Sequence, residues 1–189
     1  MIGLSPRLAT LLALAIVAPA LAAAPAPTGG RFRIDPASHI GFHVGQVGGG
    51  GISGTIPAVS GRFSIDRRDL SRSTVEVELR PASVTTGQAR IDAFLRSGAV
   101  FDAEAHPDIT FRSTRVIPTG PKSATIEGVL TARGQSRNEK FQATLAEEGA
   151  DRLAFHVTGD VFRTPYGMGV GTPIYSNVVS FDMQLEGVR

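Results

Sequence analysis

The chain has 189 residues with 19 basic and 17 acidic side chains, and it contains no cysteine. The small formal net charge of +2 and the scattered arginines argue against a nucleic-acid partner, which would require a cluster of cations. Because there are no disulfides, burial and strand pairing must supply the stability of the fold.

The first 22 residues have the features of a secretory signal peptide. Arg7 provides a short basic segment, residues 8–24 are almost entirely Leu, Ala, Ile and Val, and Ala20-Leu21-Ala22 fits the cleavage rule. A retained membrane anchor is the alternative, but the apolar run is at the lower limit of the ~17–25 residues that span a bilayer. No cysteine follows the run, which excludes a lipoprotein anchor. We therefore expect export to the periplasm after cleavage at Ala22.

The remainder of the chain is expected to form one domain after a short leader. Residues 23–30 are rich in Pro, Ala and Gly and predict a disordered leader. Residues 31–189 have a length suited to a single domain, and no stretch within them resembles a linker.

Alternation of apolar and polar side chains dominates this domain. In residues 74–80 the apolar side chains face one way and the charged ones the other. Short clusters of Gly, Pro, Asp and Ser separate such runs, which is typical of antiparallel hairpins. With eight or nine strands and no helices to cover a sheet, the fold class is all-β, as a sandwich or a barrel. The other runs are Ile40/Phe42/Val44, Ile109/Phe111, Ala124/Ile126, Phe141/Ala143/Leu145, Leu153/Phe155/Val157 and Val179/Phe181/Met183/Leu185.

Two segments depart from this alternation. Thr85-Thr86-Gly87-Gln88 has the form of a capping box, and Ile91, Phe94 and Leu95 follow at helical spacing. These features predict a short inserted helix from about Gly87 to Ser97, with an apolar stripe that packs over the sheet or across a barrel mouth. Four consecutive glycines at 48–51 predict a mobile flap or a wide hairpin loop, which would gate the interior if it lay at the mouth.

The sequence predicts neither a metal site nor a catalytic residue. His39 and His43 are four residues apart on a strand, which separates them by roughly 13 Å, too far for one ion with bonds near 2 Å. Neither a Gly-x-Ser-x-Gly elbow nor a Gly-x-Gly-x-x-Gly loop occurs in a suitable context. An acidic cluster is interpreted as solvated surface, and no cofactor is predicted. The cluster comprises Asp92, Asp102, Glu104 and Asp108.

The predicted interior suits an apolar or amphiphilic small molecule. About eight strands enclose a space that is either filled by side chains or able to hold one small ligand. The inward residues are mostly Val, Ile, Leu, Phe and Ala, which favours a ligand that gains roughly 25 cal/mol per Å² of buried apolar surface. The candidate lining residues are Phe42, Val44, Val75, Val77, Leu79, Phe94, Leu95, Ile109, Phe111, Ile126, Phe155, Val157, Phe162, Tyr166, Val179 and Phe181.

A series of motifs, in order and spacing, resembles the YceI-like family of exported, lipocalin-like proteins that bind polyisoprenoid-type lipids. The motifs are Phe32-Arg33-Ile34-Asp35, Phe42-His43-Val44, Gly61-Arg62-Phe63-Ser64-Ile65-Asp66, Val75-Glu76-Val77, Ala82-Ser83-Val84-Thr85-Thr86, Asp92 with Leu95-Arg96-Ser97, Phe101-Asp102, His106-Pro107-Asp108-Ile109-Thr110-Phe111-Arg112-Ser113-Thr114, Gly128-Val129-Leu130-Thr131-Ala132-Arg133-Gly134 and Phe162-Arg163-Thr164-Pro165-Tyr166-Gly167-Met168. The resemblance covers residues 32–188.

The resemblance implies a single antiparallel lipocalin-like β-barrel of eight strands with one short inserted helix. It also implies a long isoprenoid, quinone or fatty-acid-like chain inside the barrel, commonly in a homodimer, and it supplies no catalytic residues. Three positions depart from the family pattern: Gln46 and Phe94 replace the usual His, and Ile91 replaces the usual Arg. These changes indicate a more apolar site near the helix.

The leading hypothesis is a periplasmic carrier or sequestering protein for such a ligand. One alternative is a barrel enzyme that acts on a small lipid-like substrate, with Asp92 or His106 as acid or base. That alternative predicts polar side chains converging in the interior. A second alternative is an integral outer-membrane barrel, which would present apolar residues outward. We expect no stable insertion into the membrane.

Overall fold

A computed structural model describes residues 29–189, which form ten strands and one α-helix. The predicted signal peptide and nearly all of the leader lie outside the described residues. Gly30 belongs to the first strand, one residue before the predicted start of the domain. The strands are β1 (Gly30–Ile34), β2 (His39–Gly45), β3 (Gly51–Thr55), β4 (Val59–Ile65), β5 (Thr74–Leu79), β6 (Ile109–Gly120), β7 (Ser123–Ala132), β8 (Gln135–Glu148), β9 (Arg152–Phe162) and β10 (Val178–Val188); the helix α1 is Ala89–Arg96.

The strands form a closed antiparallel barrel with eight strand positions. β1 and β2 lie end to end along the same edge of β10, with Ile34 opposite Gly187 and His39 opposite Gln184. In the same way, β3 pairs with β2 and β4 pairs with β1. β1 and β2 therefore act as one interrupted strand, and β3 and β4 act as another. The pairing of β1 with β10 closes the ring, which confirms the predicted barrel of about eight strands.

The connections divide the barrel into two different ends. One end carries the short turns β4–β5, β6–β7 and β8–β9, together with Gly30 and Arg189. The other end carries the β2–β3 turn, the insertion at 80–108 with α1, and the segment at 163–177. We call the first the closed end and the second the open end. Within residues 29–189, no helix is both long and apolar enough to cross a membrane.

The alternation of side chains separates an apolar interior from a charged outer wall. On the outer wall Glu76 on β5 lies between Arg62 on β4 and Arg112 on β6, with N–O distances of 2.6 and 3.7 Å. Between β9 and β10, the side chains of His156 and Asp182 are joined by a hydrogen bond of 2.9 Å. Opposite charges on directly paired strands stabilise the register. Apolar residues point inward, opposite to the arrangement in an outer-membrane barrel.

The inserted helix is present but begins later than predicted, and the predicted capping box is wrong. The N-cap residue is Gln88, and its side chain makes no capping hydrogen bond. Instead Asp92, in the first turn of α1, accepts hydrogen bonds from the backbone N–H and the hydroxyl of Thr86, both at 2.7 Å. Because Asp92 accepts the hydrogen bonds of Thr86, the turn before the helix is held in place. The backbone at Thr85 stays extended and pairs with Thr55.

The four glycines form a compact hairpin turn between β2 and β3. All four have positive φ angles, between 77° and 141°, a region that other residues rarely adopt. Gly49 donates a backbone hydrogen bond to Gln46 and Gln46 donates one to Gly50. The run of glycines is therefore required by the shape of the turn.

Candidate ligand cavity

An apolar cavity of about 230 Å³ occupies the barrel interior and extends to the open end. Thirty residues line it, contributed by strands around the barrel, by α1 and by the segment at 163–177. Among them only Arg163, Tyr166 and Tyr175 carry polar side-chain groups. The alternation that sends apolar side chains inward therefore encloses a space rather than a completely filled core.

The structure brings together all but two of the sixteen candidate lining residues. Strand positions predicted from alternation, such as Val75, Val77 and Phe111, face the cavity. From the helix, Phe94 and Leu95 reach it, whereas Ile91 packs against the surrounding core. That these side chains contact a ligand stays a prediction.

Phe155 and Phe162 do not line the cavity. Phe155 lies deeper in the interior, where its ring packs edge-on against Phe63 at a centroid distance of 5.5 Å. Phe162 is the last residue of β9 and lies outside the barrel, with 57% of its surface exposed. Its place in the alternation is outward, since its neighbours Val161 and Arg163 are both buried.

A cluster of three aromatic rings fills the interior towards the closed end. Phe32 stacks on Phe63 with a centroid distance of 5.2 Å. The ring of Phe155, on β9, contacts Phe63 edge-on. Ile34 and Leu153 are almost fully buried beside them. The cavity therefore ends at this cluster, since none of the three rings is among its lining residues.

Arg163 organises the segment that borders the open end. Its side chain is 7% exposed and donates hydrogen bonds to the backbone carbonyls of Met168, Val170, Tyr175 and Ser176. Burial lowers the pKa of its guanidinium below the ordinary value. Because carbonyl oxygens take up its donors, the buried cation is satisfied without a carboxylate, and the residues after β9 are held against the cavity.

Tyr166, in the same segment, forms part of the cavity wall. Its side chain is fully buried, and its hydroxyl donates a hydrogen bond of 2.9 Å to Glu139 on β8. Burial, and then the hydrogen bond to Glu139, raise the pKa of the phenol above its ordinary value. The tyrosine therefore stays neutral and acts as a wall residue, with its one polar atom satisfied away from the lumen.

Three inward-facing glycines leave room for phenylalanine rings that lie flat against the wall. A Cβ atom placed on Gly54, Gly128 or Gly159 would come within 2.5–2.7 Å of the ring of Phe42, Phe111 or Phe141, respectively. All three phenylalanines line the cavity. The glycines thus keep these rings out of the lumen. An inward glycine beside an aromatic residue on the next strand is a signal that alternation alone misses.

The titratable residues considered for catalysis lie away from the cavity wall. Neither Asp92 nor His106 is among the lining residues, and the carboxylate of Asp92 accepts hydrogen bonds from Thr85 and Thr86. The hydrogen bonds of Thr86 are the main reason that the pKa of Asp92 falls below its ordinary value. In residues 29–189 no group of three His, Cys, Asp or Glu side chains is arranged to hold a metal ion.

Much of the wall that sequence reasoning missed lies outside the strands. Val100 and Phe101 follow α1, and Met168, Val170 and Tyr175 belong to the segment at 163–177. Irregular segments have no period, so no spacing marked these residues as inward. By contrast, Ile40, Phe141, Met183 and Leu185 belong to alternating runs and could have been included.

Comparison with known proteins agrees with the barrel. A UPF0312 protein of Pseudomonas putida strain F1 is 31% identical over 157 residues, with 80% of this chain and 78% of that protein covered. The crystal structure of Burkholderia cenocepacia BcnA matches with a TM-score of 0.75 at 22% identity, over 81% of this chain and 98% of that one. A polyisoprenoid binding domain from Saccharophagus degradans, implicated in plant cell wall breakdown, matches with a TM-score of 0.68 at 14% identity, over 85% and 98%.

The two structural matches show a shared fold, since their sequence identities are low. The model of the YceI-like domain matches residues 32–187, nearly the whole of the described part of the chain. The motifs that carried the resemblance fall within this range. The chain therefore belongs to the family of YceI-like domains.

Proposed function

We propose that this protein is a periplasmic carrier or sequestering protein that holds a long-chain apolar or amphiphilic molecule inside its barrel. The ligand class is a polyisoprenoid, a quinone or a fatty-acid-like chain. The observation that carries the proposal is the 230 Å³ cavity, which has an almost entirely apolar wall and is blocked at one end. Such a space shelters hydrocarbon from water and offers few groups for bonding a polar substrate.

The shape of the cavity supports a chain-like ligand entered end first. The cluster of Phe32, Phe63 and Phe155 blocks the closed end, so one terminus of the chain would lie there. The other terminus would lie among the residues of the open end, where Tyr175 supplies a polar group. The description of the Saccharophagus degradans domain as polyisoprenoid-binding is consistent with this ligand class.

Native mass spectrometry of the protein purified from an envelope extract tests the proposal. We expect a species heavier than the polypeptide, whose extra mass is released by organic extraction and identified as a lipid. Extracted protein should then bind a fluorescent fatty acid at micromolar concentration or tighter. Protein that is empty from the envelope and binds no apolar probe after extraction would contradict the proposal.

Export and self-association belong to the same proposal. Cell fractionation should recover the protein in the periplasm, with an intact mass that corresponds to cleavage after Ala22. The homodimer that the family resemblance implies is tested by sedimentation of the purified protein. Recovery in the cytoplasm with the first 22 residues attached would remove the periplasmic part of the proposal.

The alternative of a barrel enzyme has less support. It requires Asp92 or His106 to reach a substrate in the interior, and neither side chain lines the cavity. If the protein is a carrier, the unmodified protein and a variant with both residues replaced by Ala should both leave candidate lipids unreacted. Loss of turnover in that variant would favour the enzyme.

A further inference from the structure

The large exposed apolar side chains of residues 29–189 all lie at the open end of the barrel. They come from the β2–β3 turn, from α1, from the end of β9 and from the segment at 163–177. They are Val47 (75% exposed), Phe94 (45%), Phe162 (57%), Val170 (42%) and Ile174 (59%). We call these five residues the apolar rim. At the closed end the exposed residues are polar or charged, or are Gly, Ala or Pro, so the two ends differ in character.

The rim is continuous with the cavity. Phe94 and Val170 both line the cavity and are partly exposed at the surface. Val47 lies next to Ile174 at the same opening, since the backbone N–H of Val47 donates a hydrogen bond of 2.9 Å to the carbonyl of Ile174. An unbroken apolar path therefore leads from the lumen to the outside of the open end.

We propose that the apolar rim docks on the surface of a lipid bilayer and that ligand passes directly between the bilayer and the cavity. Exposed apolar groups around an opening mark an interaction site. Side chains of this kind bind a membrane by burying their apolar surface at the boundary between headgroups and acyl chains. This inference goes beyond the proposed function, because it concerns contact with a surface and not the contents of the barrel.

The charges near the open end favour a lipid surface that carries no net charge. Exposed or half-exposed cations and anions are balanced there, with Arg80, Arg90, Arg96, Arg133 and Arg137 against Asp102, Glu104, Asp108, Glu139 and Asp160. A strongly cationic border would instead indicate attraction to anionic lipids. Docking should therefore depend on apolar contact and respond weakly to salt.

A second copy of the chain fits the rim less well than a bilayer does. A stable protein interface buries about 800 Å² on each partner, and five side chains on four separate elements of the fold provide only part of such an area. A partner across the opening would also seal the path along Phe94 and Val170. A bilayer covers the rim and supplies or accepts the hydrocarbon ligand.

Flotation of the exported, lipid-extracted protein with phosphatidylcholine vesicles tests the proposal. The test variant combines Val47→Ser, Phe162→Ser and Ile174→Ser, which change the rim without changing a cavity-lining residue. We expect the unmodified protein to float with the vesicles and the variant to lose about tenfold or more in vesicle affinity, because each serine removes apolar surface that would be buried. Adding phosphatidylglycerol or salt should change binding little.

The matched control combines Ile117→Ser with Val129→Ser, two half-buried apolar residues that belong neither to the cavity wall nor to the apolar rim. It should float like the unmodified protein. Binding of a fluorescent fatty acid in vesicle-free solution, measured in parallel, should be retained by all three proteins. That measurement reports on the proposed function separately, so the two proposals can fail independently.

Three outcomes would overturn the docking proposal. The first is unmodified protein that does not float with either vesicle type. The second is a rim variant that floats as well as the unmodified protein. The third is a dimer in sedimentation that the rim variant dissociates, which would assign the rim to a second copy of the chain.

Discussion

Asp92 is the residue whose ionisation is most closely tied to the architecture of the open end. Its carboxylate accepts hydrogen bonds from Thr86 and Thr85 and thereby fixes the start of α1, which carries Phe94 and Leu95 to the cavity. These bonds hold the pKa of Asp92 below its ordinary value. The folded state therefore favours the ionised form, and the resulting stability is present above the ordinary pKa and is lost as the pH falls through the lowered one.

We expect Asp92→Asn to lower the melting temperature at pH 7, because the amide is uncharged and one of its two oxygen acceptors is replaced by a donor. The difference from the unmodified protein should narrow as the pH falls below about 4, where the Asp92 carboxylate of the unfolded chain, which has the ordinary pKa, begins to take up a proton. Thermal melts followed by circular dichroism between pH 7 and pH 3 measure the difference.

Glu104→Gln is the matched control for this experiment, because Glu104 is an exposed carboxylate on the same insertion. Its melting temperature should follow that of the unmodified protein at every pH. A constant gap between Asp92→Asn and the unmodified protein across the whole pH range would show that ionisation of Asp92 is not the source of the stability.

At the scale of the strands, the inward glycines determine how much of the interior stays open. Gly159 on β9 faces the ring of Phe141 on β8, and a Cβ atom there would lie 2.5 Å from the ring. We expect Gly159→Ala to push Phe141 towards the lumen and to destabilise the fold by about 1–3 kcal/mol, the usual cost of overpacking. Binding of a fluorescent fatty acid should weaken, because Phe141 is part of the cavity wall.

Gly149→Ala separates this steric effect from the general consequence of replacing a glycine. Gly149 lies in the β8–β9 turn at the closed end, where a Cβ atom would meet its nearest neighbour at 3.4 Å, an ordinary contact. Urea unfolding and probe binding of this variant should match the unmodified protein within error. If Gly159→Ala bound the probe equally well, the interpretation of Gly159 as a spacer for Phe141 would be wrong.

The strands were predictable from sequence, whereas the open end was predictable only in part. Alternation identifies which side of a strand faces inward, so Val75, Val77 and Phe111 could be assigned to the cavity before the structure. The assignment of Phe162 to the cavity was wrong, because this residue is an apolar side chain at an outward position where the strand ends. The segment around Arg163 has no period, because its shape depends on hydrogen bonds from one guanidinium to four separate carbonyls.

The whole molecule is polarised between a closed end held by aromatic packing and an open end built from irregular segments. The closed end contains the stacked rings of Phe32 and Phe63 and the junction of β1 with β10 that completes the ring of strands. The open end contains the helix, the glycine turn and the segment at 163–177. The packing that stabilises the fold therefore lies at one end, and the opening of the cavity lies at the other. Filling the lumen should for this reason weaken binding without unfolding the barrel.

Val77→Phe tests this separation directly. Val77 lies on β5 in the cavity wall, so a larger side chain there would project into free space. We expect the free energy of unfolding of the empty protein to rise by about 0.5–2 kcal/mol, as for other substitutions that fill cavities. Affinity for a fluorescent fatty acid should fall about tenfold or more, because the new ring occupies volume that the chain would fill, and each 1.4 kcal/mol lost is tenfold in affinity.

Val129→Phe makes the same chemical change on the outer wall, where Val129 pairs with Arg112 and Asn138. This control should leave both the unfolding free energy and the affinity for the probe close to those of the unmodified protein. A Val77→Phe variant that unfolds more easily and binds the probe less well would mean that the interior has no spare volume at this position. Since a filled interior cannot take up a hydrocarbon chain, that result would count against the cavity as the ligand site, while the ring of strands would remain as described.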